Sequence, residues 1–220
     1  MEATLPIAAR SRRVRRGATA LVAALTASSL GILAPGGTAH AVDLPTRPML
    51  VSRSTAGALA TPYSGFSGLS GDGRFALFVT AAKLTADDTN GLNDVYLRDR
   101  CAATTERISV SSSEVGANAA SGFPAISDDG RMVVFQSYAT NLGGTDVLDH
   151  PDVFVRDRVA GTTTRVSVTT SGGELASGSG GAAISGNGRY VAFDTSAAGV
   201  VAGDTNAKSD IFVRDLTTGT

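Results

Sequence analysis

The side chains of this sequence best suited to chemistry are carboxylates and amides gathered in one kind of loop. It reads DTNGLND from Asp88 to Asp94, DVLDHPD from Asp146 to Asp152 and DTNAKSD from Asp204 to Asp210. Oxygens at the first, third and seventh positions are Asp88, Asn90 and Asp94 in the first copy and Asp204, Asn206 and Asp210 in the third. Such a set can ligate Ca2+, a hard cation that takes about 6–8 oxygens. An EF-hand would add an oxygen at position five, where Leu92 and Lys208 stand, and a Glu at position twelve, and the middle copy replaces the Asn with Leu148. The same residue types also cap tight turns by bonding their own backbone. A turn-capping reading therefore stands beside the calcium reading, with the last Asp fixing the start of the next element.

No catalytic constellation accompanies these loops. His150 is the one histidine beyond residue 41, and no G-x-S-x-G elbow provides a serine nucleophile. Gly178 to Ala183 formally matches G-x-G-x-x-[GA], but no βαβ pattern surrounds it. Cys101 stands alone in a predicted turn with no adjacent His or Lys to activate it. The recurring dipeptides Arg98-Asp99, Arg156-Asp157 and Arg214-Asp215 read as ion pairs or turn bonds between structural units. Catalytic residues and a required cofactor are therefore not expected.

The loops belong to a unit that occurs three times. LSGDGR…DVYLRD, ISDDGR…DVFVRD and ISGNGR…DIFVRD place Arg74, Arg131 and Arg189 at spacings of 57 and 58, and Asp94, Asp152 and Asp210 at 58 and 58. A fixed period is the mark of a repeat architecture. Each unit carries strand signals. A short Gly-rich strand (65–70, 122–127, 180–185) leads through Asp-Gly or Asn-Gly to a second strand with Phe78, Phe135 or Phe193 as core anchor. The hairpin turn is expected to use two positive-φ positions. The third strand, DVYLRD, DVFVRD or DIFVRD, alternates apolar and polar, and the fourth runs Thr104–Val110 or Thr162–Val168. Met49–Arg53 reads as a detached copy of a fourth strand, placed to close the third unit. No stretch after residue 41 has a convincing helical period.

Four antiparallel strands in tandem repeats point to an all-β fold, a β-propeller with about three blades at roughly 65–110, 122–168 and 180–220. The linked motifs [IL]-S-x-[DN]-G-R-x-x-x-F and D-[IV]-[FY]-[VL]-R-D resemble the WD40-like (PD40) blade of the TolB-like propeller family. That resemblance implies an exported six-bladed ring, acting as a protein-binding scaffold in the cell envelope or attached to a peptidase. Three blades do not close a ring, since propellers use about 4–8. The sequence is then expected either as part of a longer six-bladed chain or as one half of a homodimer, with each Met49–Arg53 completing its partner's third blade.

The first 41 residues read as an export signal. Five arginines from Arg10 to Arg16 precede an uncharged Ala/Leu-rich run, and Ala39-His40-Ala41 offers a small-x-small cleavage site before Val42. Residues 11–13 resemble a twin-arginine signal with Arg15 where an apolar residue is usual. Cleavage would turn the net charge from −1 to −5, with 14 basic and 19 acidic side chains left. That balance argues against a nucleic-acid partner, and no membrane span would remain. Export to the periplasm, cell wall or medium with a single Cys means that strand pairing and packing must hold the fold without an internal disulfide. The expected function is a non-enzymatic exported scaffold that binds a protein or glycan. The alternative is the propeller part of a larger secreted peptidase or lyase.

Overall fold

The structure is a computed structural model that describes residues 48–61, 63–144, 146–206 and 208–220. The stretch read as an export signal, residues 1–41, lies outside the described residues. Eleven strands form three antiparallel sheets in chain order: β1 (Ser64–Leu69), β2 (Phe75–Thr80), β3 (Asp94–Asp99) and β4 (Thr104–Arg107); then β5 (Ser121–Ile126), β6 (Met132–Ser137), β7 (Asp152–Asp157) and β8 (Thr162–Arg165); then β9 (Ser179–Ile184), β10 (Tyr190–Thr195) and β11 (Asp210–Asp215). Each sheet is a meander with its first strand at one edge, and β5 lies against β1 and β2 as β9 lies against β5 and β6. The described residues contain no helix long and apolar enough to cross a membrane.

The sheets pack face to face, so their middle strands are covered on both sides. Leu77, Val95 and Leu97 meet Val133, Phe135 and Phe154 in one core, and Val134, Val153 and Val155 meet Val191, Phe193 and Phe212 in the next. Phe78 and Tyr96 form a third cluster with Ala82 and Leu84. The anchoring rings pair across strands, Phe135 with Phe154 at 5.9 Å and Phe78 with Tyr96 at 5.8 Å. Every residue of β3 is buried, so its alternating pattern does not sort inside from outside. Its polar members enter the interior because each finds a charged or hydroxyl partner.

The strand-one to strand-two turn uses one positive φ rather than the two expected, at Gly73 (69°), Gly130 (73°) and Gly188 (70°). The residue before it works through its side chain: Asp72 Oδ1 accepts from the Ser70 hydroxyl at 2.6 Å and from Arg74 N–H at 2.9 Å. Successive turns are joined by main-chain bonds, Gly71 N–H to Asp128 O at 2.9 Å and Asp128 N–H to Gly186 O at 2.8 Å. A Cβ at Gly71 would stand 2.9 Å from Asp128 Cβ, which explains the absence of a side chain there.

The fourth strands are shorter than expected, stopping at Arg107 and Arg165 instead of Val110 and Val168. Beyond them the chain folds into a connector that grips the next sheet. Ser112 Oγ accepts from Thr163 N–H at 2.9 Å and donates to Thr163 O at 3.2 Å. Thr55 grips Thr105 in the same way, at 2.9 and 3.3 Å. Met49–Arg53, expected as a closing strand, lies outside the strands; Arg53 forms an isolated bridge with Leu59 and its carbonyl accepts from the Thr105 hydroxyl. Its place matches the connectors after Arg107 and Arg165, where Val110 bridges Gly116 and Val168 bridges Glu174.

Candidate functional site

Of the residues considered as calcium ligands, Asp88, Asn90, Asp94, Asn206 and Asp210 bond to protein groups, while Asp94 Oδ2 is buried without a hydrogen-bond partner among the described residues. Asp88 Oδ2 accepts from Tyr96 Oη at 2.6 Å; burial, with this bond adding to it, pushes the Tyr96 phenol well above its usual range. Asn90 Oδ1 caps Leu92 N–H at 2.7 Å while its amide donates to Ala117 O at 2.8 Å. Asp94 is fully buried; Arg107 Nη2 stands 2.7 Å from its Oδ1, and the Ser109 hydroxyl donates to the same oxygen at 2.7 Å. In the third copy Asn206 Oδ1 caps Lys208 N–H at 2.7 Å, and its amide donates to Asp210 Oδ2 at 2.8 Å. In the first sheet the cation beside the acidic loop is a guanidinium.

The second copy differs. Arg165 stands 3.3 Å from Asp152 Oδ2 and 3.0 Å from Asp146 Oδ2, and reaches Glu174 at 3.9 Å. Glu174 occupies the position of Gly116 in the first copy, where a Cβ would collide with the Arg107 guanidinium at 2.2 Å. Ligand atoms of His150, Asp152 and Glu174 lie within 4.8 Å of one another, but Arg165 already balances the carboxylates, and His150 Nε2 is 3.0 Å from Leu175 O. Burial pushes the Asp146 carboxyl up to about 6; Arg165 opposes this, and Asp152 and Glu174 add to it. For Glu174 burial also pushes upward, but the Val147 and Leu148 N–H groups hold its carboxyl below the usual range.

The raised value at Asp146 has a signed consequence. A carboxyl whose folded pKa exceeds its unfolded one contributes stability fully below about pH 4 and loses it as pH rises through about 6. The urea midpoint is therefore expected to fall between pH 4 and 6.5. Asp146→Asn should flatten that fall by an amount on the order of 1 kcal/mol. A variant with the same slope as the parent would refute the assignment.

The recurring Arg-Asp dipeptides split their work. Asp99, Asp157 and Asp215 stay within their own sheets, each paired with Arg74, Arg131 or Arg189 at 2.6 Å. Arg131 holds the Asp157 carboxyl at about 2, helped by the N–H groups of Ala160 and Val159. The arginines instead cross between units: Arg98 Nη1 donates to Ser54 O at 3.2 Å, Arg156 Nη1 to Ser111 O at 3.1 Å and Arg214 Nη2 to Val168 O at 2.8 Å.

A different feature presents itself to solvent. Between β1 and β5 lies a depression of about 330 Å3 lined by Phe66, Phe123, Tyr138, Asn93, Ser121 and Gln136. Phe66 and Phe123 occupy matched positions, one beside and one within the irregularities of β1 and β5, and are 69% and 75% exposed. Phe123 also holds φ at 50°, a region costing a bulky residue about 1–3 kcal/mol. The third copy has Gly181 at this position with φ 55°. Read from sequence, these strands are merely small and crowded, and the rings go unnoticed; the Phe/Gly exchange at matched positions is the signal that could have found them.

No family model matches the chain, and no curated protein does. Among solved structures, a TolB candidate from Agrobacterium tumefaciens is 17% identical with a TM-score of 0.45, covering 72% of this chain and 48% of its own. Tricorn protease is 17% identical with a TM-score of 0.41, over 70% of this chain and 13% of its own. TolB from Acinetobacter baumannii is 16% identical with a TM-score of 0.31, over 71% and 41%. The chain thus spans about half the length of the first of these. The described residues form three successive antiparallel meanders packed face to face, an all-β arrangement of the kind propeller blades adopt, here without closure into a ring.

Proposed function

We propose that the chain is an exported, non-enzymatic propeller scaffold that takes its partner at the depression between β1 and β5. The partner it fits is a glycan strand. Two flat apolar rings supply area, and the neighbouring Asn93, Ser121 and Gln136 supply the hydrogen-bonding groups that fix orientation. The observation that carries the reading is Phe123, a bulky ring held out to solvent by a backbone conformation that costs stability. Strain of this kind persists where surroundings enforce it, and it gathers at binding sites. Export is supported by the basic n-region and the Ala39-His40-Ala41 motif.

Calorimetric titration of the chain with soluble cell-wall glycan fragments tests this. Phe66→Ala combined with Phe123→Ala should weaken binding about tenfold or more, with the glycan chain length unchanged after incubation. Binding as tight in the double variant, or shortening of the glycan, would overturn the reading. Phe123→Gly separates stability from binding. It should raise the urea midpoint by the equivalent of about 1 kcal/mol while weakening the glycan. A destabilised Phe123→Gly chain would show that the ring serves packing instead.

A further inference from the structure

The depression between β1 and β5 has a counterpart one sheet along, between β5 and β9, where the repeat supplies the same positions again. The frame is common to both. Ser121 N–H donates to Asn93 O at 2.7 Å, and its match Ser179 N–H donates to Pro151 O at 2.8 Å. The side chains set on that frame are not common. Phe123, Asn93 and Tyr138 line the first depression, and the residues matched to them are Gly181, Pro151 and Ser196. A ring, a carboxamide and a phenol are exchanged together, which marks the three as one set.

The described residues lining this depression are all uncharged at neutral pH. The grooves beside β4 and β8 differ in this respect, holding Arg107 with Glu106 and Arg165 with Glu174. Asn93 belongs to the first sheet, just before β3; it is exposed, and its carbonyl bond to Ser121 N–H fixes its place. Gln136 comes from β6 of the second sheet. Its amide donates to Ser179 O at 2.9 Å, so its carbonyl oxygen is the group that remains to accept. The Asn93 carboxamide can therefore donate from one wall while Gln136 accepts on the other, with the exposed Phe66 and Phe123 rings beside them.

Given the glycan reading above, on which this depends, we infer that the glycan is N-acetylated and that its acetamido group is what the depression reads. A trans secondary amide directs its carbonyl and its N–H to opposite sides, so a single carboxamide cannot meet both. The ligand carbonyl accepts from Asn93 Nδ2, the ligand N–H donates to Gln136 Oε1, and the methyl lies on the rings. A sugar with a hydroxyl there loses the methyl contact and leaves one of the two protein groups unpaired. A sugar with a free amine brings an ammonium to a lining without a carboxylate, and sheds its hydration uncompensated.

The probes are three tetrasaccharides with one linkage that differ only at the second carbon of each sugar, which carries acetamido, amino or hydroxyl. Titrated calorimetrically into the purified chain, the acetamido form should bind one-to-one and the other two about tenfold or more weakly. Asn93→Ser takes the residue that the third copy has at Ser209. It should weaken the acetamido form about tenfold and leave the hydroxyl form unchanged. Should that variant fail to fold, the order of the three probes on the parent chain decides. Equal binding of all three, lost together in the Phe66 and Phe123 double variant, overturns the acetamido assignment and leaves the glycan reading standing. An acetamido preference that survives Asn93→Ser overturns the assignment too. So does binding of cell-wall glycan fragments without the acetamido probe, whereas binding of neither sinks both readings.

Discussion

Replacing Arg107 with alanine is expected to destabilise the chain by roughly 3–5 kcal/mol, read as a fall in urea midpoint at neutral pH. The guanidinium lies 2.7 Å from Asp94 Oδ1 and donates to Ala117 O at 3.1 Å, and Asp94 is wholly out of solvent. Burial already pushes the Asp94 carboxyl above its usual range, with the Ser109 bond and Arg107 opposing it. Without Arg107 the carboxylate must stay charged and uncompensated or take up a proton. The sign of the pH dependence follows from a folded pKa raised further above the unfolded one. The variant's stability should be greatest below about pH 4 and fall more steeply than the parent's as pH rises. Adding Asp94→Leu should recover much of the loss, because the pair is costly to break and cheap to replace whole. A single variant within about 1 kcal/mol of the parent would mean that the pair behaves as a surface contact.

Phe135→Ala should cost a similar amount, about 3–5 kcal/mol. The ring is fully buried between the first two sheets, against Phe154 and among Leu77, Val95 and Leu97. Removing it opens a cavity that neither sheet can fill, since both walls are strands pinned by their ladders. On the preceding strand of the same sheet, Phe123→Gly is expected to stabilise. The opposite signs of two phenylalanine deletions separate a packing ring from a presented one. A Phe135→Ala midpoint shift worth less than about 1.5 kcal/mol would show that the core collapses around the gap.

Strand positions, the repeat period and the core rings were legible in the sequence because period-two patterning and matched spacing report them directly. The ends of β4 and β8 were not. Ile108-Ser109-Val110 continues the alternation, but the Ser109 hydroxyl replaces a main-chain acceptor for Val95 N–H at 3.2 Å, and the ladder ends there. Partner choice was also hidden. Arg98 and Asp99 are adjacent in sequence, but successive strand residues point to opposite faces, so one reaches the neighbouring connector while the other folds back on Arg74. The depression at Phe66 and Phe123 depends on a positive φ that no pattern in SGFPAI announces.

The hydroxyl grips of Thr55 on Thr105 and of Ser112 on Thr163 mean that the covalent repeat and the cooperative repeat are out of phase. The stretch Ser111–Gly116 follows the first sheet in sequence but holds the outermost strand of the second. A piece excised at strand ends, from Ser121 to Arg165, would leave β8 without its clasp. One cut from Ser111 to Ser167 carries its own. The natural module for grafting, duplicating or shuffling this architecture therefore begins in what looks, from the strands alone, like the tail of the preceding unit.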